Sequence, residues 1–137
     1  MDANVWLALA FSDHVHHAKA VSWFATQPEQ SCAFCRVTQM ALLRHLTNTH
    51  IMGRFVQTQA AAWQTFDSFA TDPRSAFLSE PDGVETRFRN LTQAASPGHG
   101  RWTDAYLAAL AIESNVGLVT LDKGFVSCEG LMLELLQ

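Results

Sequence analysis

The run VGLVTL, Val116 to Leu121, is apolar at successive positions where a half-exposed strand would alternate. It closely follows TDAYLAALA, Thr103 to Ala111, a stretch almost wholly apolar after its one acid. A strand with two apolar faces needs cover on both, and a buried helix feeding it supplies part of that cover. CAFCRV (residues 32–37) and AFL (Ala76 to Leu78) have the same non-alternating character. Strands of this kind separated by helical segments predict an α/β domain, a parallel sheet of about four to five strands flanked by helices.

The helical segments have readable ends. NVWLALAFS after Asp2 is a short apolar helix stopped by Ser12 and Asp13, and a second runs from about His16 to Gln27, where Pro28 ends it. Thr38 is expected to cap a third, with Met40, Leu42, Leu43 and Leu46 as its apolar face; NTHIMG closes that unit. Thr58 to Phe69 places Trp63, Phe66 and Phe69 at helical spacing, and TDP ends it. SEPDG turns into a helix over Val84 to Gln93, ASPGHG is a loop, and Thr103 caps a helix reaching about Ser114. A last strand is expected around Leu131 to Leu135, with helix the alternative. No linker or repeat interrupts the chain, so residues 1–137 are expected to form one domain.

Composition excludes several classes. With 48% hydrophobic and 16% charged residues the chain is not disordered. No run approaches the ~18 apolar residues needed to cross a bilayer. MDANVWLALAF is acidic where a secretory signal is basic, so the expectation is a cytoplasmic protein without a membrane partner. A net charge of −4 argues against nonspecific nucleic-acid binding and leaves room for a local basic rim around an acidic site. Three cysteines argue against a disulfide framework, and CAFC (Cys32 to Cys35) has zinc-like spacing but no second pair. In a strand that offset sends the thiols to opposite faces, so both are read as buried structural cysteines.

The acids carry the chemistry. Asp122 stands where VGLVTL runs out, Asp104 in the first turn of the preceding helix, and Asp2 just before the first helix. In parallel α/β sheets such places meet at the carboxyl edge, where ligands bind. Each has a plainer role: Asp104 complements a helix N-terminus, Asp122 starts a turn, Asp2 caps a helix. Together they form a constellation of carboxylates whose mutual repulsion calls for a cation. Hard oxygen ligands suit Mg²⁺, with Mn²⁺ an alternative, and such an ion can assist in-line displacement at a phosphodiester.

DANVWLALAF, VTQMALLRHLTN, TDAYLAALA and LVTLDKGF together resemble the successive motifs of PIN-domain ribonucleases, in particular VapC-type toxins of bacterial toxin–antitoxin pairs. The resemblance implies a Mg²⁺-dependent endoribonuclease toxin, acting as a homodimer on RNA and neutralised by a small VapB-like antitoxin. It carries over Asp2, Asp104 and Asp122 as metal ligands and catalytic acids, with Asn4 and Thr120 in support. The family usually has a glutamate where this chain has Gln39, which can ligate or hold a water but brings no charge. Relatives also have several apolar residues before the first acid, and here only Met1 precedes it, so the first strand is expected to be truncated.

Arg101, His99 and Lys123 are close to the acids in sequence and are candidates for phosphate contacts, as is Arg44 beyond Gln39. Trp102 is a candidate stacking platform, with core packing as its alternative. HVHH (His14 to His17) lacks partners for a metal and is assigned to capping and surface roles, and Glu80 and Asp82 to turn chemistry. Two rival functions remain open. One is a PIN-fold binding module weakened by Gln39 and acting through a protein partner. The other, a phosphotransferase with Asp2 as nucleophile, lacks a second acid two residues on.

Overall fold

The computed structural model describes residues 1–93, 98 and 101–136. It opens with α1 (Ala3–Ala10), which buries Ala3, Val5, Trp6, Leu7, Ala8 and Leu9. A helix apolar on nearly every side belongs inside the molecule, and α1 lies there. Next come α2 (His17–Ala25), β1 (Cys32–Phe34) and α3 (Arg36–Leu46). The short α4 (Thr49–Met52) leads to α5 (Gln59–Ala70) and β2 (Ser75–Phe77). The chain continues through α6 (Val84–Gln93), α7 (Arg101–Glu113), β3 (Leu118–Thr120) and β4 (Leu133–Leu135).

The expected parallel α/β architecture is present, but its four strands stand as two parallel pairs. Cys32 pairs with Ser75 and Phe34 with Phe77 in one; Leu118 pairs with Leu133 and Thr120 with Leu135 in the other. Met1 and Asp2 lie between the pairs. The Met1 amino nitrogen donates to the Ala33 carbonyl (2.9 Å) and the Asp2 N–H to the Val119 carbonyl (2.9 Å). Burial pushes the pKa of that amino group down.

Each pair has its own core. Around β1, Trp6 stacks on Phe34 (centroids 3.7 Å apart) and meets Phe24 and Phe69 obliquely, while Phe66 meets Phe34 edge-on. Around β3 the buried residues are smaller: Val84, Leu107, Ala109, Leu110, Ala111, Leu118 and Phe125. A lesser cluster of Val5, Val119 and Leu136 joins α1 to β3 and β4. Gly83 sits at φ +93°, where a Cβ would come 2.8 Å from a Glu113 carboxylate oxygen, so glycine lets the α6 entry lie against α7. Arg87 and Glu113 then tie these helices together at 2.7 Å.

Several boundaries differ from expectation. The strand expected over residues 32–37 stops at Phe34, because Cys35 becomes the N-cap of α3. Thr38 is therefore the third residue of that helix, its hydroxyl accepting from the Cys35 N–H (3.0 Å). Likewise α7 begins at Arg101, so Thr103 lies inside the helix it was expected to cap. NTHIMG forms α4 behind an Asn48 cap. Cys32 and Cys35 are both buried free thiols, in separate cores as their spacing suggested. His14 precedes α2 and its ring accepts from the His16 N–H (3.2 Å). Trp63 and Trp102 are exposed. The expected loop at residues 95–100 lies largely outside the described residues. Among the described residues no helix is long and apolar enough to cross a membrane.

Candidate active site at the sheet edge

One hydroxyl organises the acidic edge. Thr120 ends β3, where the backbone turns its side chain into a fully buried position. Its Oγ1 donates to Asp2 Oδ2 (2.7 Å) and accepts from Asn4 Nδ2 (3.2 Å) and from the Asp122 N–H (3.0 Å). A hydroxyl offers one proton and two lone pairs, and all three are used. Asn4 closes the circuit, its Oδ1 accepting from the Leu121 N–H (3.2 Å). Residues 2 and 4 are thereby fixed to residues 120–122 across most of the chain's length. Asn4 and Thr120, expected as supporting residues, are joined to Asp2 and to the Leu121 and Asp122 backbone in this one network.

Asp2 sits in extended backbone at the start of α1, where its carbonyl accepts from the Val5 and Trp6 N–H groups. Asp122 leaves β3 and caps the following 3-10 turn, Oδ1 accepting from the Gly124 N–H (2.8 Å). Asp104 lies half-buried in the first turn of α7, on a helix seated through Leu107, Ala109, Leu110 and Ala111. Burial raises its pKa, and the charges of Asp122 and then Asp2 raise it further. Three carboxylates, one from the beginning of the chain and two from its last third, therefore share one field.

That arrangement fits a divalent cation in its chemistry: the donors are hard oxygens, and their repulsion is what a cation would relieve. Among the described residues no three acidic, histidine or cysteine side chains stand grouped closely enough to hold a metal ion between them. Any ion drawn to these carboxylates would therefore keep several of its waters, as Mg²⁺ does.

The remaining expected residues are spread around this edge. Arg101 and Asp104 line a cleft of about 510 Å³, with Leu91, Ala108, Gly124 and Ser127 among its other walls. Lys123 is exposed in the turn directly after Asp122. Arg44 is exposed on α3. His99 lies outside the described residues. Trp102 projects at 58% exposure, its ring edge-on to Phe88 at 6.0 Å, which excludes it from the core.

Gln39 is buried in the first turn of α3, and its Oε1 accepts from Arg36 Nη1. Arg36 in turn lies over the Phe77 ring, 5.2 Å from its centroid. The described hydrogen bonds hold Gln39 to Arg36 and to its own helix, and none joins it to the three acids. His45 was not anticipated. It is half-buried on α3, where burial and Arg44 lower its pKa and the Asp2 charge opposes them. The field of Asp2 therefore reaches α3, a proximity created by packing of α1 on α3 and invisible in sequence spacing.

The PIN domain matches residues 1–130. The chain belongs to the PIN-domain family. Among its relatives, Ribonuclease VapC41 of Mycobacterium tuberculosis is 41% identical over 140 residues, covering 98% of this chain and 96% of that protein. Ribonuclease VapC29 of the same organism is 35% identical over 130 residues, covering 95% and 90%. These identities over nearly full length place the chain with the VapC-type members of the family. The fold also matches VapBC2 from Rickettsia felis, solved bound to a promoter DNA fragment, with a TM-score of 0.68 at 15% identity over 98% of this chain and 96% of that one. At that identity the likeness speaks for the PIN fold alone.

Proposed function

We propose that the chain is a Mg²⁺-dependent endoribonuclease, the toxin of a VapBC-type toxin–antitoxin pair, with Mn²⁺ able to substitute. The observation that carries this is the shared field of Asp2, Asp104 and Asp122, in which burial first and then the Asp122 and Asp2 charges disfavour the Asp104 carboxylate. Relatives named as VapC ribonucleases support the assignment to RNA.

Asp2, Asp104 and Asp122 would hold the ion. A bound Mg²⁺ supplies neutralisation of phosphodiester charge and a lowered pKa for water. Thr120 keeps Asp2 in one orientation by donating to one of its oxygens, and Asn4 keeps Thr120 in place. Gln39, through its carboxamide, is assigned to water or metal orientation at the same edge. Arg101, which lines the cleft with Asp104, and Lys123, which follows Asp122, would hold phosphates of a single strand. Arg44 and His99 are further phosphate candidates. A homodimer in the cytoplasm, restrained by a small VapB-like antitoxin, completes the proposal.

Asp104→Asn keeps the shape of the side chain and removes its charge. It should abolish Mg²⁺-dependent RNA cleavage while the melting temperature stays at or above that of the parent. Cleavage at the parent's rate would refute the assignment. A binding module without catalysis predicts instead that millimolar Mg²⁺ or Mn²⁺ neither shifts the melting temperature nor supports cleavage. Gln39→Glu would then separate a missing charge from a missing function, since recovered metal binding identifies the charge.

A further inference from the structure

The cleft that Arg101 and Asp104 line has three walls of uneven chemistry. Residues 101, 104, 105 and 108 recur at helical spacing, so one face of α7 forms the first wall. Ala105 and Ala108 are short, and that shortness leaves the cleft its depth. Leu91 of α6 and Phe125 complete the apolar lining. Polar groups come from the other two walls: Asn90 near the end of α6, and Ser127 and Glu129 beyond the 3-10 turn that Asp122 caps. All three of these residues are exposed.

At about 510 Å³ the cleft falls within the range of small-ligand pockets, about 300–1,000 Å³. A groove that tracks phosphates is lined by cations. Among the described residues this cleft sets one cation, Arg101, against two acids, Asp104 and Glu129. The proposed ion accounts for Asp104 and leaves Glu129 without a role. A carboxylate there repels a backbone phosphate and suits a neutral ring that carries N–H donors.

We propose that the cleft is a base-recognition subsite, which takes the nucleobase beside the phosphate under attack and selects guanine through Glu129. The inference rests on the ribonuclease reading, since it names part of the RNA that the same edge would cut. A carboxylate only accepts hydrogen bonds. The Watson–Crick edge of guanine sets its ring N–H beside its amino group, so both oxygens of one carboxylate are met at once. Adenine and cytosine set their amino group beside an unprotonated ring nitrogen, and uracil flanks its one N–H with carbonyls. For each of those bases the second oxygen faces a lone pair. The Asn90 amide and the Ser127 hydroxyl can donate to the guanine carbonyl, and Leu91, Ala105 and Ala108 offer the ring an apolar surface. Single-stranded RNA presents its bases unstacked for this kind of reading.

Cys128 supplies a readout that needs no catalysis. It lines the same wall and is partly exposed, whereas Cys32 and Cys35 are buried. Iodoacetamide labelling of Cys128 would be followed by mass spectrometry in millimolar guanosine, adenosine, cytidine or uridine monophosphate. The guanine nucleotide should slow labelling about threefold or more relative to the uridine one, and Glu129→Gln should erase that difference. Equal labelling with all four nucleotides overturns the proposal, as does a guanine preference that survives Glu129→Gln. In a mixed-sequence single strand, cuts should fall next to guanine about tenfold more often than next to uracil, and Glu129→Gln should even them out. A ratio between bases is insensitive to any loss of folded protein in the variant. Cleavage that ignores guanine overturns the subsite and leaves the nuclease reading standing. Guanine-selective protection of Cys128 without cleavage of any RNA supports the subsite and removes the nuclease reading.

Discussion

The two halves of the molecule solve the same packing problem with opposite materials. The half around β1 and β2 is filled by rings: Trp6, Phe24, Phe34, Phe66 and Phe69. The half around β3 and β4 is built on α7, whose buried face is Leu107, Ala108, Ala109, Leu110 and Ala111. Rings fill space from a distance and leave large holes when removed. Alanines let a helix lie close to its sheet and leave no room for anything larger. The functional consequence is positional: the acid on α7 is held by the closeness of the helix, whereas Asp2, at the head of α1, is held by hydrogen bonds to Val119 and Thr120 of β3.

Truncation should therefore break the first half and enlargement the second. Trp6→Ala should cost about 3–5 kcal/mol in urea unfolding, since the ring stacks on Phe34 and is fully buried. Trp6→Phe should cost much less, because the indole N–H has no hydrogen-bond partner among the described residues and its loss leaves nothing unpaired. In the second half Ala109→Leu should cost about 1–3 kcal/mol by overpacking, since Ala109 is fully buried. If Trp6→Ala proved milder than Ala109→Leu, the contrast between the halves would be wrong.

The next effect is smaller in stability and larger in activity. Thr120→Val keeps the volume and removes the one hydroxyl that serves Asp2, Asn4 and the Asp122 N–H. It should destabilise by about 1 kcal/mol, because partly buried partners lose their hydrogen bonds to it. On the proposed function it should also weaken Mg²⁺ affinity or cleavage about 10–100-fold, the usual range for a group that orients a ligand. Titration of Mg²⁺ against cleavage rate checks both. Loss of stability with unchanged metal response would restrict Thr120 to a structural role.

How far this edge can be read from sequence depends on what fixes each residue. Asp122 and Asp104 are legible because continuous apolar runs, VGLVTL and AYLAALA, fix where a strand ends and a helix begins. Asp2, Asn4 and Thr120 are legible as members of motifs, and the hydroxyl hub rewards that pattern. The start of α7 is misread by two residues because Thr103 is a good cap on propensity, and the helix continues past it to Arg101. The same happens at Thr38, where Cys35 takes the cap. His45 and the Arg36–Gln39 bond escape entirely, since they depend on which helices pack together and on side-chain reach. The division of the strands into two pairs is equally non-local: no stretch of sequence records how far apart β1 and β3 stand.

The acids of the second half should also show themselves in the pH dependence of stability. Asp104 has its pKa raised in the folded protein, so it retains a proton there at pH values where the unfolded chain has released it. Stability from this group is accordingly greatest in acid and falls as pH rises from its ordinary value through the raised one. Asp104→Asn should flatten that decline, measured as the urea midpoint across the acidic range up to neutrality. Mg²⁺ should oppose the decline in the parent and have a weaker effect in the variant, because the cation relieves the repulsion that produces it. A parent whose stability rises over the same range in Asp104→Asn difference curves would contradict the shared field.

The smallest expected effect belongs to the aromatic half and has the opposite sign. Arg74 binds Asp72 at 2.6 Å, lies over the Phe24 ring 4.1 Å from its centroid and donates to the Phe24 carbonyl. The guanidinium, with the Arg74 N–H, holds the Asp72 carboxyl at about 2, below its ordinary 3.8. A depressed carboxyl pKa gives stability that is present above the ordinary value and lost as pH falls from there toward about 2. Asp72→Asn should therefore lower stability at neutral pH slightly and flatten the acid limb over that window. The effect stays small because both side chains are partly exposed, at 30% and 21%, and water screens the pair. Acid unfolding followed by tryptophan fluorescence reports it, and added salt should shrink the difference between parent and variant. A salt-independent difference would mean that Asp72 acts by shaping the turn into β2, through its bond to the Arg74 N–H, more than by its charge.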